Sequence, residues 1–278
     1  MTLRKLNKII CYTVLIALSI LCLFSFYILI VNSTRAHSQI QKGFSFGLGD
    51  FFNQNLQNVL SNKDLPVVRG ILNSLFVSTA SAVLSTYFSV LTAFAIHSYE
   101  FRFKRVIFTF VMMIMMVPSQ VSALGFIRWM SQLGLMDSLI PLFLPSIAAP
   151  IIFYFMLSYM QSNLPKAVVE AARMDGASEF RTFNQIVLPI MKPAIAVQMI
   201  FTFVGSWNNY FIPALIIRSA DKKTMPILIA QLRSADYLKF DMGQVYMLIF
   251  LAIIPIIIVY IILSKYIVRG VAVGSVKE

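Results

Sequence analysis

Residues 170–189 read EAARMDGASEFRTFNQIVLP, a charged island set between two apolar stretches. A connector of two spans needs fewer residues and no pattern; this one has both. Ser162 or Asn163 can cap a helix and Pro165 suits its first turn, so Lys166 to Asp175 reads as helix. Gly176 suits the left-handed stop. Ser178 can cap a second short helix that ends before Pro189, with Pro193 opening the next span. The spacing predicts helix, glycine turn, helix, with the first helix near the membrane surface. Val168, Ala171, Ala172 and Asp175 share one face by three- and four-residue steps, with Glu170 and Arg173 beside it. An amphipathic helix lying on lipid would want bulky apolar residues and many lysines. Alanines with mixed charge favour close approach of another protein.

The rest of the chain is membrane-like. Of its 278 residues 59% are hydrophobic and only 12% charged, with mean hydropathy +0.80, against about 25% charged in soluble domains. The net charge of +12 is read as basic loops anchoring membrane ends, not as a nucleic-acid surface. Cys11 and Cys22 lie roughly 16 Å apart if helical, beyond disulfide reach. His37 and His97 stand alone, so no metal cluster is expected.

A span needs about twenty mostly apolar residues. Six segments qualify: 9–31, 71–97, 106–126, 139–160, 194–217 and 244–264. The expected organisation is an N-terminal segment 1–8, a first span 9–31, an external loop 32–70, a five-span core 71–264 containing the loop 161–192, and a tail 265–278. Arg4, Lys5 and Lys8 precede the first span, as in a signal peptide. However, the run Ile9 to Val31 is too long for that, and no clear cleavage site follows, so it is read as a retained helix. With the N-terminus inside, 13 basic residues fall inside and 10 outside. The basic first flank orients the chain, placing both termini and the island in the cytoplasm.

Two spans carry polar faces. Ser74, Ser78, Ser81, Ser85, Ser89 and Thr92 recur in steps of three and four and stack into one stripe. Such a stripe serves helix packing or walls a hydrophilic path; both readings place it inside the bundle, with Ser81 and Ser85 at its centre. The fifth span carries Gln198, Thr202, Ser206 and Asn209 on one face. Polar groups at membrane depth turn inward, and amides suit sugar hydroxyls. Trp207 and Tyr210 could stack on sugar faces, but near a span end they read first as interfacial anchors or packing residues.

The island resembles the EAA loop of ABC importer permeases through Glu170, Ala171, Ala172, Asp175, Gly176, Ile186, Leu188 and Pro189. The resemblance extends along the chain. It takes in Asn73-Ser74-Leu75, MMIMMVPSQV at Met112 to Val121, Leu133-Gly134-Leu135, Ser206-Trp207-Asn208, and the tail KYIVRGVAVGSVKE from Lys265. These are similar to the carbohydrate-importer branch, and within it to the MalG-like partner of its two permease subunits. The resemblance implies an all-α integral membrane protein with six transmembrane helices, a type I importer permease fold and a cytoplasmic EAA coupling helix.

It further implies that Glu170, Ala171, Ala172, Arg173, Asp175, Gly176, Leu188 and Pro189 couple the chain to a cytoplasmic ATPase. The implied partners are a second homologous permease, two ATPase copies, an external sugar-binding protein and membrane lipid. ATP and Mg would be bound by the ATPase, leaving this chain without a cofactor, in the plasma membrane of a prokaryote. Arg269 stands where the family favours small residues and the chain ends in Glu278, departures in a tail that otherwise reaches the ATPase.

Other functions fit less well. An ion-coupled secondary transporter needs acids or histidines at membrane depth, and here every acid falls in a loop or near a span end. A non-sugar solute for the same kind of importer stays open. A membrane enzyme would show HExxH, GxSxG or paired acids, and none appears. Without a Walker A pattern the chain does not bind ATP in that manner.

Overall fold

A computed structural model describes residues 3–234 and 240–274. In chain order its helices are α1 (Leu3–Ser33), α2 (His37–Gln41), α3 (Phe52–Ser61), α4 (Val67–Ser98), α5 (Lys104–Ile114), α6 (Ser119–Gln132), α7 (Ile140–Phe143), α8 (Pro150–Asn163), α9 (Lys166–Met174), α10 (Glu179–Thr182), α11 (Leu188–Trp207), α12 (Phe211–Ile216), α13 (Met225–Arg233) and α14 (Met242–Gly274). No strand occurs among the described residues.

Five segments are long and apolar enough to cross a membrane: Asn7–Ser33, Val67–Ser98, Ile140–Asn163, Glu179–Trp207 and Met242–Lys265. The expected third span, 106–126, is not one helix. It breaks between Ile114 and Ser119 into α5 and α6, of 11 and 14 residues. Pro118 is the cause: its ring disfavours helical Val117, and the chain closes turns from Met116 to Met113 and from Val117 to Ile114 instead. The fourth span survives its prolines because each one opens a helical segment. Pro141 starts α7, Pro145 a 3-10 turn over Leu144–Ile147, and Pro150 starts α8. At a first-turn position the missing N–H has no partner to lose.

The expected fifth span, 194–217, is shifted. Helix runs unbroken from Glu179 to Trp207, and α12 is a separate short helix after Asn208–Tyr210. The last candidate span ends at Lys265, and its helix continues to Gly274, through most of the segment read as a tail; residues 275–278 lie outside the described residues.

Contacts divide the chain into two units, Met1–Val68 with Leu228–Ile254, and Arg69–Ile227 with Pro255–Glu278. In the first unit, α1 exposes nearly every apolar side chain from Ile9 to Phe26, as a helix surrounded by lipid does. The loop after it is folded. Arg35, 8% exposed, donates to Asn32 Oδ1 (3.1 Å) and the carbonyls of Gly43 (3.0 Å) and Gln39. Asn55 donates to the carbonyls of Ser33 and Arg35, both at 3.0 Å. A Cβ on Gly243 would stand 2.8 Å from that Asn55 amide, so only glycine lets α14 begin there.

In the second unit, one core joins Val90, Ala93 and Phe94 of α4, Phe153, Met156 and Met160 of α8, and Phe183, Val187 and Met191 at the entry to α11. The serine stripe is part of this interior. Ser74, Ser78, Ser81, Ser85 and Ser89 are all 3% exposed or less, while Thr92 leaves the stripe, exposed and bonded back to Phe88 O. Near the start of α4, Asn73 donates to the carbonyls of Asp221 (2.9 Å) and Lys223 (3.0 Å), and Ser74 Oγ accepts from Met225 N at 2.8 Å. Near its end, His97 Nε2 donates to Leu164 O at 2.9 Å. About 36 Å of helix separates these two fixings.

Candidate functional site

The island folds as an elbow. Pro165 (φ −61°) is the N-cap of α9, not Ser162 or Asn163, which still belong to α8 and bond back to Ser158 and Tyr159. The helix ends at Asp175. Gly176 takes φ +76° and donates to Arg173 O at 3.0 Å, and Ala177 N donates to Ala172 O at 3.0 Å. These two bonds make a Schellman closure, for which a residue without Cβ is favoured. Ser178 then caps α10, its Oγ accepting from Arg181 N at 3.3 Å.

The second arm does not stop at the Leu-Pro pair. Residues Phe183–Val187 form a π turn, in which Leu188 N reaches back five residues to Phe183 O, and α11 follows directly. Pro189 lacks an N–H and its ring crowds the carbonyl four residues back. Widening one turn relieves that clash without ending the helix. Leu188 is half-buried and Pro189 exposed.

The faces of α9 are set by its side chains. Val169 and Ala172, 2% and 6% exposed, pack inward, and Val169 joins the core with Phe183. Burying one such valine contributes about 1.5–3 kcal/mol. Phe183 in turn meets the rings of Tyr87 and Phe94, each at 5.7 Å, tying the elbow to α4. The expected common face of Val168, Ala171, Ala172 and Asp175 is therefore divided: Ala172 faces in, while Val168, Ala171 and Asp175 face out with Glu170. Two large apolar residues join them, Met174 at 83% and Phe180 at 74% exposure.

Arg173 has an internal task. Its Nε donates to Glu179 Oε1 at 2.7 Å and its second nitrogen to Oε2 at 3.3 Å, a fork that bridges the two arms. Its guanidinium lies 5.1 Å above the Tyr99 ring. Arg173 holds the Glu179 carboxyl below its ordinary value. Burial, then Glu179, pushes the Tyr99 phenol up. Glu170, by contrast, makes no ion pair among the described residues. Tyr99, Glu179, Met174 and Phe180 are contributors the sequence reading passed over. Exposed Met and Phe within a charged island were the available signal for the last two.

The polar faces lie along the helices behind the elbow. Gln198 is buried, Thr202 and Ser206 are half-buried and Asn209 is exposed. Ser206 Oγ donates to Ser81 Oγ at 3.4 Å, which joins the two polar segments. Ser85 bonds its own helix at Ala82 O (3.2 Å), and Ser146 donates to Ser81 O at 3.3 Å. Trp207, 2% exposed, stacks on Phe203 with centroids 5.7 Å apart; it is a core residue. Tyr210 is exposed.

At the opposite end of α4 from the elbow, a clasp absent from the sequence reading holds the loop before α13. Asp137, at φ +56°, accepts from Arg218 N and Ser219 N, both at 2.9 Å, and from the Ser219 hydroxyl. Lys222 Nζ reaches the Asp137 carbonyl at 2.7 Å. The Ser219 hydroxyl, then the two backbone N–H groups, drive this carboxyl well below the usual range.

Residues 85–273 match the model of a family described as binding-protein-dependent transport system inner membrane component. Over 265 residues the chain is 32% identical to an arabinooligosaccharides transport system permease protein of Bacillus subtilis (strain 168), covering 94% of this chain and 92% of that one. It is 29% identical to a lactose transport system permease protein of Rhizobium radiobacter, covering 99% and 98%. A bacterial ABC transporter involved in import of the acidic polysaccharide alginate contains a chain of the same fold. The TM-score is 0.80 at 24% identity, over 94% of this chain and 96% of that one.

Proposed function

This chain belongs to the family of binding-protein-dependent transport system inner membrane components and is an ABC transport permease subunit, and from that premise we propose that it forms half of the path by which an importer takes up a di- or oligosaccharide. The observation that carries this reading is the elbow. It presents Glu170, Ala171, Met174 and Phe180 outward on a backbone braced by Gly176 and the Arg173–Glu179 fork. Exposed apolar anchors beside an uncommitted charge are the makings of a protein contact. The sugar class rests on the arabinooligosaccharide and lactose relatives.

In this reading the elbow faces the cytoplasm and seats in an ATPase subunit, which binds ATP and Mg and supplies the hydrolysis. Two such ATPase copies, a second permease and an external binding protein complete the assembly. The ATPase stroke enters through α9 and passes to the membrane helices along two routes. One is the Val169–Phe183 core; the other is the unbroken helix from Glu179 to Trp207. Alternating access then follows from rigid movement of packed helices. Gln198, Thr202, Ser206 and Asn209 present polar groups toward the path. Ser81 and Ser85 support that face from behind, since both are closed in by neighbouring helices. The broken pair α5–α6 supplies the remaining crossing. Irregular backbone at membrane depth needs protein or water around it, so the break at Met115–Pro118 faces the second permease and not lipid.

The test is ATP hydrolysis by the reconstituted importer with its binding protein, screened over mono-, di- and trisaccharides and a non-sugar polyol. Stimulation by a di- or trisaccharide is the expected result. Stimulation by the polyol alone would move the chain to a non-sugar importer.

A further inference from the structure

The segment between α1 and α3 holds three large apolar side chains that the fold leaves uncovered. Phe44, Phe46 and Leu48 are 54%, 71% and 69% exposed, at alternate positions of the run GFSFGLG over 43–49. This run is a closed loop. At its start Gly43 takes φ +103°, and its carbonyl accepts from Arg35 at 3.0 Å. At its end Gly49 N donates to Thr34 Oγ1 at 2.8 Å, and a Cβ there would stand 2.5 Å from Thr34 O. Both ends are thus pinned beside the C-terminal end of α1, and ring contacts aim the tip between them. Phe44 lies 5.6 Å from Phe24, Phe46 lies 6.4 Å from Tyr27, and the two loop rings meet edge to face at 4.5 Å. The Tyr27 hydroxyl donates to the Phe46 carbonyl. Phe24 and Tyr27 precede Ser33, the last residue of α1, by about 14 and 9 Å of helix. The chain therefore leaves α1, turns, and runs back down its side.

That depth coincides with the edge of the membrane. A hydrocarbon core of about 30 Å takes about twenty residues of helix, which from Ile9 ends near Leu29. Packing changes at the same place: α1 is exposed at every position from Ile9 to Tyr27, whereas Leu29 and Val31 to Arg35 are buried. Helix contacts within a membrane favour small residues, but the bare length of α1 is mostly Ile, Leu, Phe and Tyr on all sides, a surface that acyl chains cover. The loop rings extend this surface at its rim. No acid occurs from Thr34 to Gly49, and exposed Lys42 stands at the head of the loop, where it suits headgroup phosphates. We propose that residues 43–49 dip into the bilayer and seat Phe44, Phe46 and Leu48 at the headgroup–acyl boundary beside α1. Backbone polar groups limit the depth. Phe46 O is met by Tyr27, and Gly47 N by Ser45 Oγ at 3.1 Å; the other polar groups of the tip need water or headgroups, which the hydrocarbon centre lacks. The inserted rings hold the folded segment 34–61 at a fixed height on the membrane.

This insertion depends on the chain lying in a membrane and not on which solute it carries. With Cys11→Ser and Cys22→Ser as background, nitroxides at Phe46→Cys and Leu48→Cys in the reconstituted importer report contact with oxygen, which enters lipid, and with a water-soluble nickel chelate. Ser38→Cys, exposed on α2, is the water reference, and Leu21→Cys, at a position 69% exposed on α1, is the hydrocarbon reference. The labels at 46 and 48 should shift from the Ser38 value toward the Leu21 value, gaining oxygen contact and losing chelate contact. Values equal to those at Ser38 would place the loop in water, and loss of both contacts would show a covering protein such as the second permease; either result overturns the proposal. In the unaltered chain, a phosphatidylcholine with a diazirine near its acyl carbonyl should label residues 43–49 on illumination, a measurement that needs no variant to fold. Label on α1 with none on 43–49 would overturn the proposal as well. Sugar transport can fail for other reasons and leaves both readouts unaffected.

Discussion

Replacement of Gly176 separates backbone handedness from side-chain space. A Cβ at this position meets nothing within 4 Å, so Gly176→Ala carries only the cost of a left-handed alanine at φ +76°, about 1 kcal/mol. Gly176→Asn should cost less, because asparagine visits that region more readily. Gly176→Pro is different in kind. Its ring demands a φ near −65°, it deletes the donor to Arg173 O, and it pushes Asp175 out of its near-helical geometry. The sum is about 3 kcal/mol or more, enough to unwind the closure while the Val169–Phe183 core keeps the helices in place. Uptake of labelled sugar, normalised to permease in the membrane, should fall in the order glycine, asparagine, alanine, proline. Proline should abolish uptake with insertion intact. Normal uptake by Gly176→Pro would refute the elbow as the point where force enters. Equal losses for alanine and proline would show that a partner fills the space above Gly176, and that handedness is not what matters.

Glu170→Lys should leave the Tm within about 2 °C, since the side chain is exposed, yet abolish sugar-stimulated ATP hydrolysis; stimulation at the unaltered level would remove Glu170 from the contact. A double-mutant cycle over Arg173→Ala and Glu179→Ala should give a coupling of about 0.2–1 kcal/mol in thermal unfolding. Because the folded Glu179 carboxyl sits below its ordinary value, that stabilisation is full above the ordinary value and disappears as pH falls through the folded one. Glu179→Gln should therefore lose the difference between neutral and acid Tm that this pair adds, and an unchanged profile would count against the fork. Asp137→Asn keeps a residue tolerant of φ +56° but removes the charge. It should raise hydrogen exchange at the N–H groups of Arg218 and Ser219, whereas unaltered exchange would mean the clasp holds nothing.

How much of this could be read in advance depended on how local the cause was. Gly176 was legible because its conformation follows from a rule about one residue. The spans were legible wherever apolar length alone decides. Proline was the main source of error, in both directions. At Pro118 the break was stronger than a single helix over 106–126 allows. At Pro189 it was weaker, because a widened turn absorbed a clash that reads as a stop. The Arg173–Glu179 fork was not legible, because the carboxylate that Arg173 meets lies across the turn. The Asp137 clasp and the Asn73 contacts join residues 81 to 150 positions apart, and nothing in a single chain's pattern marks such pairs. Packing also decided the fate of Ala171 and Ala172, neighbours of identical chemistry that ended on opposite faces.

Because the chain stays helical from Glu179 to Trp207, there is no slack joint between the second arm of the elbow and the polar face it reaches. A rod of 29 residues is about 43 Å long, and a rocking of roughly 10° about its centre would carry each tip nearly 4 Å in opposite directions. A push at one tip thus arrives at the other as an equal and opposite swing, delivered by stiffness alone.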